Sequence, residues 1–210
     1  MATYKDLVGT AVRNNAGNLS DDQTNQIFYD STNVDFKYRI AAVTSAGAWR
    51  AGNSMNTAGH TIGGAGTATA GLAFAGSPRP GARSAATESW NGTSWTEVND
   101  LNNARDYLSG AGIQTAAIAS GGYRLSPGGA AGETETRNGS SWTETTDLNT
   151  ARYNTGSAGT YTASLLFGGT TPGADQNAIT ESWNGSAWTE VNDLNTARYT
   201  LGGAGIQTSA

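Results

Sequence analysis

Short apolar runs alternate with small and polar residues along this chain, and the alternation recurs. Ala163-Ser-Leu-Leu-Phe167, closed by Gly168-Gly169, predicts a buried strand that ends in a bend. Thr180-Glu-Ser-Trp-Asn-Gly-Ser-Ala-Trp188 carries two short alternating runs around Asn184-Gly185, and Asn91-Gly92 and Asn138-Gly139 take the same place in similar segments. Asn-Gly accepts positive φ angles, so three hairpins with type I′ turns are expected. Nearer the start, residues 26–38 show two alternating runs around Ser31-Thr-Asn33 and predict another hairpin. Upstream of it, Tyr4, Leu7, Val8, Ala11 and Val12 fit one helical face, interrupted by Gly9.

These patterns belong to a repeat. The segment Trp95-Thr-Glu-Val-Asn-Asp-Leu-Asn-Asn-Ala-Arg105 returns at Trp142–Arg152 and Trp188–Arg198, and a worn copy begins at Trp49. The four Trp residues fall 46, 47 and 46 positions apart. Units therefore run 49–94, 95–141 and 142–187, with a partial unit 188–210, behind a leader of residues 1–48. About four strands in ~46 residues fits an all-β fold of four-stranded antiparallel β-propeller blades. Blades converge on an axis, so the innermost strand needs small side chains, which Ser109-Gly-Ala-Gly112, Ser157-Ala-Gly159 and Gly202-Gly-Ala-Gly205 supply. Outer strands diverge and need bulk, which is where the Trp residues fall; each buried indole is worth at most ~4 to 6 kcal/mol.

The residues that carry this pattern resemble the kelch family: a strand ending in Gly-Gly (Gly121-Gly122, Gly168-Gly169), a downstream Glu-x-Trp (Glu88 and Trp90; Glu181 and Trp183), a second Trp, and an Arg opening the next unit. Ala75-Gly76, Arg137 in place of a Trp, and Gly59 in place of the first Arg depart from it. More narrowly, the unit that reads ESWNGTSWTEVNDLNNAR at 88–105 and ESWNGSAWTEVNDLNTAR at 181–198, behind the leader MATYKDLVGTAVRNNAGN, is similar to kelch-like structural proteins of tailed-phage particles. That resemblance implies a virion location, on the tail or capsid exterior after synthesis in the host cytoplasm. It also implies a leader that docks to other virion proteins or helps close a ring, and a homo-oligomer is expected. Two routes to a complete array stand open: closure by the two chain ends, or continuation of the repeats beyond Ala210.

Composition narrows the chemistry. Twelve basic against 17 acidic residues, a net charge of −5, repel phosphate backbones, so nucleic acid is not an expected partner. The chain has no Cys and one His, His60, which removes thiolate nucleophiles, thiolate metal sites and multi-histidine sites. No apolar run reaches the ~18 residues of a membrane span, and no cofactor is implied.

Residues present in every unit are explained by the repeat. Glu97, Glu144 and Glu190, with Asp100, Asp147 and Asp193, read as structural, and Arg105, Arg152 and Arg198 as bridges to carboxylates and carbonyls between units. A site must lie where register breaks, in the loops 77–86, 123–133 and 170–179 after the Gly pairs. The candidates are Arg79, Arg83, Tyr123, Arg124, Asp175, Gln176 and Asn177, because planar polar groups beside an aromatic ring suit sugar hydroxyls or a protein neighbour. No catalytic set is expected. The leading expectation is a non-enzymatic tail fibre, adhesin or decoration protein, and the alternative is a carbohydrate-binding module for host surface glycan.

Overall fold

The computed structural model describes residues 13–15, 26–30, 35–39, 51–79 and 81–209. The helical face expected at residues 4–12, the turn at 31–33, Trp49 and Pro80 lie outside them. All regular structure among the described residues is β, and the chain divides after Ala51 into two units.

The first unit holds a three-stranded sheet. Strands β2 (Gln26–Asp30) and β3 (Asp35–Arg39) pair antiparallel from Gln26↔Arg39 to Asp30↔Asp35, the hairpin that their alternation predicts. Strand β1 (Arg13–Asn15) lies parallel to β2.

The second unit contains three four-stranded antiparallel sheets of one strand order. The first is β4 (Gly63–Thr67), β5 (Ala70–Phe74), β6 (Thr87–Trp90) and β7 (Trp95–Val98). The second is β8 (Ser109–Ile113), β9 (Ala116–Ser120), β12 (Thr134–Arg137) and β13 (Trp142–Glu144), with a two-stranded ribbon of β10 (Tyr123–Arg124) and β11 (Gly129–Ala130) in its long loop. The third is β14 (Gly156–Thr160), β15 (Ala163–Phe167), β16 (Thr180–Trp183) and β17 (Trp188–Glu190). The small-residue strand is first in each sheet and the Trp-Thr-Glu strand last.

Small residues serve close approach. A Cβ placed on Gly63 or Gly110 would strike the Phe74 ring, which lies between β4 and β8, and one on Gly156 would strike Phe167. Strands β4, β8 and β14 consequently pack side by side. With Gly203–Gly205 they line a hollow of about 340 Å³ walled mostly by glycine and alanine.

The apolar core forms two slabs between successive sheets. Phe74, Leu72, Leu101, Leu108 and Trp142 fill the first, and Ala111, Ile118, Leu148, Leu166, Trp183 and Trp188 the second. Trp142 from the last strand of the second sheet meets Phe74 of the first edge-on, ring centroids 5.0 Å apart, and its Nε1 donates to Thr87 Oγ1 at 3.2 Å. Trp188 Nε1 donates to Thr134 Oγ1 at 2.9 Å in the next interface. Trp90 and Trp183 instead lean on Trp95 and Trp188 of their own sheets at 5.3 Å. Arg137 stands where those two sheets have Trp, its guanidinium 5.9 Å from the centroid of Trp142, and burial lowers its pKa.

The Asn-Gly hairpins form, but not with type I′ turns. Trp90 pairs with Trp95 across four loop residues, and only the glycine, Gly92, has positive φ, 90°. Asn91 stays out of the left-handed region because its Oδ1 accepts from the amides of Thr93 and Ser94, both at 2.9 Å. Asn138 and Asn184 do the same.

Between sheets, each link fastens its backbone to the sheet behind and its side chains to the sheet ahead. Leu101 N and Arg105 N donate to Ala85 O and Ser84 O of the first sheet's loop. Ahead, Asn102 N and Nδ2 donate to Glu135 Oε2 at 2.7 and 2.8 Å, and Arg105 Nη1 to Glu135 Oε1 at 2.6 Å. The second link repeats this, with Asn149 and Arg152 on Glu181. Before the first sheet, Asn56 and Thr57 are the partners of Glu88 among the described residues, and Gly59 stands where the later links have arginine.

Candidate binding face

The long loops leave their sheets at the Gly pair, beside the residues that open each inner strand. Antiparallel bridges join them there: His60 to Ser77, Asp106 to Tyr123 and Tyr153 to Thr170. A backbone chain links the repeats across the same region. Tyr107 N donates to Thr61 O, Asn154 N to Tyr107 O and Thr200 N to Asn154 O, at 3.1, 3.0 and 2.8 Å. All four residues have positive φ, between 53° and 57°, a conformation that costs a non-glycine residue energy and is held by its surroundings.

Side chains of three repeats meet on this scaffold. Arg83 Nε lies 2.7 Å from Asp106 Oδ1, and its guanidinium stands 5.4 Å from the Tyr123 ring centroid. Tyr123 meets Tyr153 edge-on at 5.3 Å, and Tyr153 meets Tyr107 at 6.1 Å. All three rings are half-buried, each leaving part of its surface to solvent, whereas Asp106 is 1% exposed. Burial raises the Asp106 pKa, an effect that Arg83 partly offsets. Burial also raises the Tyr153 pKa, with smaller contributions from Tyr123, Asp175 and Tyr107.

The sequence candidates separate by this geometry. Arg83 and Tyr123 stand at the centre of the cluster. Arg124 lies beside it on the β10–β11 ribbon, its Nη2 2.5 Å from Glu133 Oε1. Arg79, Asp175 and Gln176 are exposed on the first and third loops. Asn177 is buried and spends its amide on the fold, with Nδ2 donating to Gly169 O at 2.8 Å and Oδ1 accepting from Ile179 N.

Asp106, Tyr107 and Tyr153 lie outside the register-breaking loops, just after the repeated Ala-Arg. A signal was present: the pairs His60-Thr61, Asp106-Tyr107, Tyr153-Asn154 and Tyr199-Thr200 share one repeat position and differ in every unit, although three of the four follow the same Ala-Arg.

Among the described residues no cluster of three or more His, Asp or Glu is placed to hold a metal, and no helix is long and apolar enough to cross a membrane. No family model and no curated protein matches the chain. Among solved structures, that of YjhT is similar in fold, with a TM-score of 0.56 at 15% identity over 79% of this chain. The match covers 51% of the YjhT chain, so this chain spans about half the length of the protein it resembles in fold.

Proposed function

We propose that the protein is a non-enzymatic component of a phage particle, of fibre, adhesin or decoration type, built from kelch-like β-propeller blades. Three sheets of one strand order converging on a glycine-lined hollow support the blade reading. The repeated unit, ESWNGTSWTEVNDLNNAR at 88–105 and ESWNGSAWTEVNDLNTAR at 181–198, similar to those of particle proteins, supports the location. Mass spectrometry and cryo-EM of purified particles test it: the chain occurs on the particle exterior, and its confinement to infected-cell lysate overturns the proposal.

The alternative role, recognition of host surface glycan, can belong to the same molecule. One observation carries it: Arg83, Tyr123 and Tyr153, from different repeats, form a single polar aromatic surface. Half-exposed rings offer faces to the apolar side of a sugar, and neighbouring ionic groups and exposed loop residues offer hydrogen bonds to hydroxyls. On a broad glycan array the protein binds a defined set of sugars, and Tyr123→Ala or Tyr153→Ala abolishes binding while leaving circular dichroism unchanged. An array without hits overturns this role.

A further inference from the structure

On the polar aromatic face the arginines are already paired. Arg83 Nε lies 2.7 Å from Asp106 Oδ1, and Nη1 of the same guanidinium donates to Ala82 O at 3.2 Å. Arg124 Nη2 lies 2.5 Å from Glu133 Oε1. Asp106 and Glu133 are 1% and 7% exposed, so neither arginine can turn to an anionic ligand without leaving a buried charge unpaired, which is strongly destabilising. Burial first, then Tyr123 and Asp175, raise the Tyr153 pKa, and the exposed Asp175 thereby marks a negative charge close to the rings. An incoming carboxylate or sulfate meets compensated arginines, a nearby aspartate and a chain of net charge −5.

The groups left over carry no charge. Tyr107, Tyr123 and Tyr153 are half-buried, and among the described residues none of their hydroxyls has a hydrogen-bond partner. A phenol is uncharged at neutral pH, donates one hydrogen bond and accepts others, the same double character as a sugar hydroxyl. The planes of Tyr123 and Tyr153 meet at 75° and those of Tyr107 and Tyr153 at 56°, so the rings do not cover one another face to face. An uncovered ring face suits the apolar side of a pyranose.

Resting on the glycan recognition proposed above, we infer that the ligand of this face is an uncharged sugar: a neutral hexopyranose whose apolar side lies on the tyrosine rings and whose hydroxyls bond the phenols of Tyr107, Tyr123 and Tyr153. Arg83 and Arg124 shape the face and do not select the ligand. Selection against acidic sugars follows from the charges in place. Asp106, Glu133 and Asp175 repel a carboxylate or sulfate, and the two cations that would offset that repulsion are held by Asp106 and Glu133 themselves.

The test is an array carrying neutral oligosaccharides beside their uronic, sialylated and sulfated counterparts, followed by calorimetry of the hits on the full chain. Neutral sugars bind, and their acidic counterparts bind no better. Affinity is unchanged between about 50 and 500 mM NaCl, because no charge pair between protein and ligand is there to be screened. Tyr153→Phe keeps the ring and weakens binding about fivefold, the loss of one neutral hydrogen bond. Hits confined to acidic sugars, with affinity that falls as salt rises, overturn the inference and leave glycan recognition standing. Full affinity in a triple variant, Tyr107→Phe with Tyr123→Phe and Tyr153→Phe, which retains every ring and so the packing, overturns it as well. An array without any hit overturns glycan recognition and this inference with it.

Discussion

Arg105 Nη1 lies 2.6 Å from Glu135 Oε1, and neither side chain exposes any surface to solvent. Glu135 sits on β12, while the backbone of Arg105 hangs from the loop of the sheet before, so the pair ties one sheet to the next. Removing one partner strands a buried charge. Glu135→Ala lowers unfolding free energy by about 3 to 5 kcal/mol, read from urea midpoints, whereas Arg105→Met with Glu135→Leu recovers most of the loss.

At the first sheet the opposite defect exists. Glu88 is 2% exposed and accepts three N–H bonds, but Gly59 denies it a guanidinium. A Cβ at Gly59 comes no nearer than 3.4 Å to Ile62 or to the Ser77 carbonyl, and Gly59 is not a positive-φ residue. Gly59→Arg raises stability by about 1 to 2 kcal/mol, the value of a hydrogen bond to a charged group, and the gain vanishes in the Glu88→Gln background.

Among the described residues Phe74 is wholly buried and Phe167 only half-buried. Phe74→Ala costs about 3 to 5 kcal/mol, as loss of a buried aromatic does. Phe167→Ala costs roughly half of that, because Phe167 is half-buried and its neighbours already face a hollow. Thermal scans of the two variants give the order directly.

Tyr153 predicts the alkaline limit. Its folded pKa is raised by burial, so the native chain keeps the phenolic proton where the unfolded chain releases it. The contribution is complete below about pH 10, the unfolded value, and is lost as pH rises through the folded one. Stability between pH 9 and 11.5 therefore falls less steeply in Tyr153→Phe than in the wild type.

Much of this architecture was legible because a repeat states each rule several times. Trp142 and Trp188 at one repeat position announced bulk between sheets, and Gly110 and Gly156 announced crowding of the first strands. Turn type was misread, since Asn91 satisfies neighbouring amides with its own side chain instead of adopting positive φ, a choice that spacing does not encode. The face was half legible. Arg83 and Tyr123 lie in loops that break register, but Tyr153 joins them through the third dimension, and Asn177, chosen for its polarity, is consumed by its own loop.

The linkage through Thr61, Tyr107, Asn154 and Thr200 uses amide and carbonyl groups alone. These bonds do not use the side chain each module displays at that spot, so many residues that tolerate the positive φ and keep the amide can stand there. Mutation can rewrite what the surface says without loosening what holds it, the condition under which an interaction surface can diversify as its targets change.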